Sequence, residues 1–165
     1  MSIAAAARVG DPVAAIATPA LVVDLDALER NIERMSAFAR QHQMRLRPHA
    51  KTHKCAEIAR RQVAAGAVGV CVQKTSEALA LAGAGVGDIY VSNEVIDAGK
   101  LAELAALAGR VKLSIAVDSA LGVDRLAAAL KAAGTSADVY VEVDVGHGRC
   151  GVAPASAVAL AHQVV

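Results

Sequence analysis

The chain has 165 residues, 55% of them apolar but only 2% aromatic, and carries a formal net charge of +1. That length and composition support one domain whose core is built from Ala, Val, Leu and Ile. The near-neutral charge argues against nucleic acid or an anionic membrane surface as the main partner. No run of about eighteen uninterrupted apolar residues marks a membrane span.

The opening stretch Met1–Arg8 has no basic head of the kind that begins a signal peptide, and Arg8 and Asp11 interrupt its apolar character. A flexible N-terminus over residues 1–17 and a cytoplasmic location are therefore expected. Strand-like apolar runs follow at Ala20–Leu25, Met44–Arg47, Val68–Val72, Ile89–Ser92, Lys112–Val117 and Val139–Val145. Helical stretches lie between them at Asp26–Gln41, Thr52–Ala65, Thr75–Ala82, Asp97–Ala108, Ser119–Ala133 and Pro154–Val164. Ser119 is a cap candidate, Gly134 a terminator, and Pro154 a first-turn proline. Cys55, Cys71 and Cys150 are odd in number, far apart and without CxxC spacing, so buried free thiols are expected and not a disulfide framework or a zinc site.

Strand starts recur at about the length of one βα unit, and strict alternation points to a parallel sheet, either a barrel or a doubly wound sheet. No GxGxxG follows the first strand; Asp24-Leu25-Asp26 runs directly into a helix, which weakens the dinucleotide-binding version. Six strands are too few for a complete (β/α)8 barrel, which takes about 250 residues. The expectation is an α/β fold that forms the front portion of such a barrel.

Polar groups at the strand ends are the candidates for chemistry, because that is the working face of a parallel α/β barrel. Lys51, in Arg47-Pro48-His49-Ala50-Lys51-Thr52-His53-Lys54, leaves the sheet just after a proline and is well placed to form a Schiff base with a carbonyl. Such a lysine must lose its proton, and Arg47, His53 and Lys54 are the nearby cations that would favour this. His49 and His53 read equally well as surface residues at a helix start. Gln73 precedes Thr75 and Ser76, either of which would cap a helix with Glu77 in its first turn. Ser92-Asn93-Glu94 is polar but uninformative alone, and turn chemistry accounts for Asp118. In Glu142-Val143-Asp144-Val145-Gly146-His147-Gly148-Arg149-Cys150-Gly151, a glycine-rich loop presents Arg149, whose planar donor fork suits a phenolate or phosphate oxygen; a tight turn with a solvated arginine explains it as well.

Taken together, these segments resemble the fold-type III pyridoxal-phosphate enzymes, the alanine racemases among them. The likeness is greater to the branch containing D-threonine aldolase, 3-hydroxy-D-aspartate aldolase and D-serine dehydratase. It rests on Thr18–Asp26 with Leu28 and Asn31, on Arg47–Lys54, on Gln73–Ala78, and on Asp144 with Gly146–Val152. The resemblance implies pyridoxal 5'-phosphate as cofactor, with Lys51 as the catalytic, cofactor-bearing lysine. Gln73, His49 and Arg149 would be further cofactor-binding residues, Arg149 through the phenolic oxygen. It also implies that residues 18–26 form a strand of a second β domain, with residues 27–165 as the partial barrel of about five strands starting at Met44. A divalent metal (Mn or similar) is implied for the family, but its ligands fall outside this sequence. The function implied is a lyase acting on a D-3-hydroxy amino acid, with a D-amino acid as small-molecule partner and a homodimer as assembly. A dehydratase, a non-catalytic cofactor carrier of the same fold and an inactive remnant are the alternatives.

Overall fold

The computed structural model describes residues 7–164. Its sheet has four parallel strands in the order β1 (Val70–Val72), β2 (Asp88–Val91), β3 (Lys112–Val117) and β4 (Asp138–Val141). The helices are α1 (Leu25–Gln41), α2 (Ala56–Ala64), α3 (Thr75–Gly83), α4 (Ala98–Ala108), α5 (Ala120–Ala133) and α6 (Ala157–Val164), and single 3-10 turns occupy Val13–Ala15 and Pro154–Ser156. Among the described residues no helix is long and apolar enough to cross a membrane.

The strand register divides the sheet chemically. Val70 and Val72 align with Ile89 and Val91, then with Leu113, Ile115 and Val117, on the face covered by helices. There they meet Leu81 of α3, Leu101, Leu104 and Leu107 of α4, Val123 and Leu126 of α5 and Leu160 of α6. Each such fully buried aliphatic contributes about 1.5–3 kcal/mol through its removal from water. The alternate positions Cys71, Tyr90, Ser114, Ala116 and Tyr140 fall on the opposite face, because successive strand residues point to opposite sides. That second face is the one a barrel would turn inward.

Helix ends follow local chemistry. Asp24 accepts from Ala27 N at 2.9 Å, Asp97 from Lys100 N at 2.9 Å and Ser119 from Gly122 N at 3.2 Å, each satisfying an otherwise orphaned amide. Gly134 closes α5 with φ of +65°, as expected for a left-handed helix terminator.

Several expected boundaries are corrected. Ala20–Leu25 is not a strand: residues 20–24 have no ladder partner, Leu21 is fully exposed, and Leu25 already opens α1. Of the N-terminal segment 1–17, residues 1–6 lie outside the described residues. Met44–Arg47 is not a ladder strand either, although the chain runs beside β1: Val68 N donates to Leu46 O at 2.9 Å and Cys71 N to Pro48 O at 2.8 Å. Only His49 bridges Cys71, because Pro48 has no amide hydrogen to continue the pattern. The last strand ends at Val141, after which the chain turns back on itself with a bridge between Val143 and Val152. The helix expected from Thr52 starts at Ala56, because Lys54 adopts φ of +50° and interrupts the helical backbone.

Candidate active site

The segment after Pro48 turns sharply at the end of β1, which exposes Lys51. Its Nζ donates to Oε1 of Gln73 at 3.2 Å, and Nε2 of Gln73 donates to the carbonyl of Ser92 at 3.2 Å. The amide is thereby held at both ends, with its oxygen turned to the lysine. Lys51 N–H approaches His49 Nδ1 at 3.4 Å, and His49 Nε2 faces Ser92 Oγ at 3.4 Å. With Nδ1 accepting, Nε2 carries the proton and donates to Ser92, whose hydroxyl passes its own hydrogen to Val72 O at 3.2 Å. Cys71 Sγ also reaches Ser92 Oγ, at 3.2 Å. Burial, with Lys51 second, lowers the pKa of His49, so its ring is neutral in the neutral range. Burial pushes the Cys71 thiol up.

The structure thus brings Lys51, Gln73 and His49 together and adds Ser92, which the sequence did not single out. The three cations expected around Lys51 are engaged elsewhere. Arg47 pairs with Asp88 at 2.7 Å, Lys54 pairs with Glu77, and His53 Nδ1 accepts from Cys55 N at 3.1 Å. Neither Thr75 nor Ser76 caps α3; Glu77 does so from within the helix, its Oε2 accepting from Gln73 N at 3.0 Å and Lys74 N at 3.2 Å.

Arg149 stands apart from this group. It is exposed on the loop after β4, and its pKa is raised chiefly by the neighbouring Cys150 thiol, with Glu142 and Glu94 adding to the effect. Its loop is tightly built. Asp144 Oδ1 accepts from Gly146 N at 2.9 Å and Gly148 N at 3.0 Å, and Asp118 Oδ2 accepts from Gly151 N at 3.1 Å. A Cβ on Gly151 would lie 2.6 Å from Asp144 N, so only glycine fits there. Beside this loop Cys150 Sγ donates to Glu142 Oε1 at 3.0 Å, with Glu94 close by. The Glu142 carboxylate raises the Cys150 thiol, and with Glu94 the three side chains form a hydrogen-bonded acid cluster. Of the three cysteines only Cys71 is buried, which corrects the expectation for Cys55 and Cys150, both half-exposed.

Residues 23–165 match the family described as alanine racemase, N-terminal domain. The chain belongs to this family. Its relatives within the wider group include D-threonine aldolase of Arthrobacter sp, 52% identical over 95% of this chain and 42% of the relative. The 3-hydroxy-D-aspartate aldolase of Paracoccus denitrificans is 44% identical over 87% of this chain and 38% of its own length. Among solved structures, D-threonine aldolase from Filomicrobium marinum superposes with a TM-score of 0.95 at 48% identity, over 98% of this chain and 44% of that one. The chain therefore spans about two fifths of the length of these relatives. Relative to such a domain, the four-stranded sheet is the N-terminal part of the barrel, and the barrel is not closed.

Pyridoxal phosphate needs an accessible amine free of a competing carboxylate. Lys51 meets that requirement: it is exposed, makes no ion pair among the described residues, and is held by a neutral amide at the strand-end edge. The donor set at this edge fits the group.

Proposed function

We propose that this chain carries the lysine portion of a pyridoxal-phosphate lyase site acting on a D-3-hydroxy amino acid, in the manner of a D-threonine aldolase that yields glycine and an aldehyde. The observation that carries this reading is the exposed Lys51 amine, bound to Gln73 Oε1 at 3.2 Å and unpaired with any carboxylate among the described residues. The names of the similar proteins, D-threonine aldolase and 3-hydroxy-D-aspartate aldolase, support the choice of substrate class. When bound, the cofactor supplies an aldehyde for the lysine and an electron-withdrawing ring for the substrate's α-carbon. Lys51 Nζ would hold it and would carry the proton exchanged at the α-carbon. Gln73 orients the amine through its fixed amide, and the His49 imidazole accepts from the Lys51 main-chain N–H and steadies the turn that carries it. Arg149 would direct its guanidinium to the phenolic oxygen. The divalent ion implied for the wider group is assigned to no residue of this chain. A cytoplasmic location, supported by three unpaired cysteines, and a homodimer belong to the same proposal.

The test is to mix the chain with pyridoxal phosphate, reduce with borohydride and map the modified peptide by mass. Selective label on Lys51 is expected; scattered label or none would overturn the reading. A dehydratase is the second reading, favoured by a D-threo-3-hydroxyaspartate dehydratase of Delftia sp. that is 36% identical over 86% of this chain. Acetaldehyde from D-threonine marks the aldolase, and 2-oxobutyrate marks the dehydratase.

A further inference from the structure

Three acidic side chains leave the sheet at neighbouring strand ends: Glu94 beyond β2, Asp118 directly after β3 and Glu142 directly after β4. Glu94, Glu142 and Cys150 place a carboxylate oxygen or sulfur within 4.8 Å of one another. Cys150 occupies Oε1 of Glu142, while Oε1 of Glu94 is buried without a hydrogen-bond partner. Two carboxylates this close, one of them partly withdrawn from water, resist carrying two charges; a proton between them removes the repulsion and supplies the missing hydrogen bond.

We propose that Glu94 and Glu142 share one proton and, as a singly charged pair, hold the Arg149–Cys150 loop in place, which makes Glu94 a positioning residue for cofactor binding; this role rests on the reading of Arg149 given above. The electrostatics agree. Burial and then Glu142 push Glu94 up to about 7, whereas hydrogen bonds from Glu94 and Cys150 hold Glu142 below its ordinary range. The other groups facing the pair are Asp118 at the end of β3, Tyr90 on β2, and Cys150 and Arg149 on the loop. Tyr90, pushed up to about 12 chiefly by burial, stays neutral throughout the range concerned. Arg149 feels the charge of this pair at a distance, without a direct ion pair among the described residues, and a second negative charge would attract its guanidinium more strongly toward the pair.

The shared proton is read directly from carboxyl carbon-13 NMR of the glutamate-labelled 165-residue chain. Glu94 is expected to titrate near neutrality with Glu142 well below it, and Glu142→Gln should return Glu94 toward the ordinary glutamate range. Independent titration of both groups in the ordinary range would overturn the shared proton. The positioning role is read from Lys51 labelling at limiting pyridoxal phosphate, expressed as the ratio of wild type to Glu94→Gln, an uncharged side chain that keeps a donor. That ratio is expected to fall several-fold from pH 6 to pH 8.5, and a constant ratio overturns the role. Absence of Lys51 label in both proteins sinks the cofactor reading and the positioning role with it, whereas the NMR titration alone judges the shared proton.

Discussion

Lys51, from the turn after Pro48, and Gln73, the residue that follows β1, leave neighbouring parallel segments at the same end of the sheet and meet with Nζ 3.2 Å from Oε1. Because Ser92 O holds the other end of the amide, the oxygen cannot swing away without breaking a second hydrogen bond. Gln73→Glu would place a charge at the same point and stabilise the ammonium form of the lysine. The rate of pyridoxal-phosphate attachment to Lys51 at pH 7 is expected to fall by about tenfold, the scale of a nearby opposite charge, and to recover at higher pH. Stopped-flow absorbance across pH checks it; an unchanged profile would show that Gln73 does not govern the amine.

The pair Arg47–Asp88 should be sensitive to a third residue. Both side chains are about four-fifths buried, and the pair ties the approach to β1 to the start of β2. A Cβ on Gly69 would strike Asp88 and the Arg47 guanidinium at once. Gly69→Ala is expected to cost more than about 2 kcal/mol, and Arg47→Met about 3 kcal/mol because it leaves Asp88 uncompensated. Urea denaturation of both variants measures this, and additive losses in the double variant would show that the two do not share a mechanism.

Ile89 is fully buried at the centre of the helix-covered face. Ile89→Ala should lose about 2–5 kcal/mol, the range for a large-to-small change in a core. A loss well under 1 kcal/mol would mean that this face is not packed as described.

Acid should destabilise the chain through two histidines. His49 and His53 both have lowered pKa values, chiefly from burial, and Nε2 of His53 is buried without a partner. For a histidine lowered on folding, the stabilising contribution is present above its unfolded value of 6.5 and is lost as pH falls through the folded one. His53→Asn should flatten the decline in unfolding free energy between pH 7 and pH 5. An unaltered slope would remove His53 from the account.

Glu94 acts with the opposite sign. Raised to about 7 from 4.5, it contributes full stability below about 4.5, and the contribution is lost as pH rises through 7. Glu142, held low, contributes above its ordinary range and loses this as pH falls through its folded value. Relative to wild type, Glu94→Gln is therefore expected to gain about 1 kcal/mol on going from pH 4.5 to pH 8, a figure reduced for the partial solvent access of Glu94. Urea titrations at the two pH values measure the difference.

The elements that the sequence announced best are those with local punctuation. Lys112–Val117 was legible because its apolar run is bounded on both sides, and α5 because Ser119 and Gly134 mark its ends. Ala20–Leu25 carries the same β-branched composition without a partner strand, and composition cannot supply a partner. The start of α2 was misplaced because the left-handed backbone at Lys54 is a tertiary feature with no residue type to signal it. At the site, Lys51 and Gln73 stood out by their place at strand ends. Ser92 and Glu94 did not, because a single polar residue after a strand gains meaning only from what the adjacent strands set beside it. Arg149 was read correctly as a loop residue, but its neighbours Glu142 and Cys150 could be grouped with Glu94 only in three dimensions.

The composition that left this chain with no tryptophan and two tyrosines has an optical consequence. Tyr90 on β2 and Tyr140 on β4 reach across β3 on the inward face, their ring centroids 5.0 Å apart, and no aromatic of comparable emission lies among the helices. Ultraviolet fluorescence of the unlabelled molecule therefore originates chiefly from the inward face of the sheet. A ligand that absorbs in the near ultraviolet and settles on that face would dim the signal directly. The molecule carries a built-in gauge of occupancy on the face where chemistry is proposed.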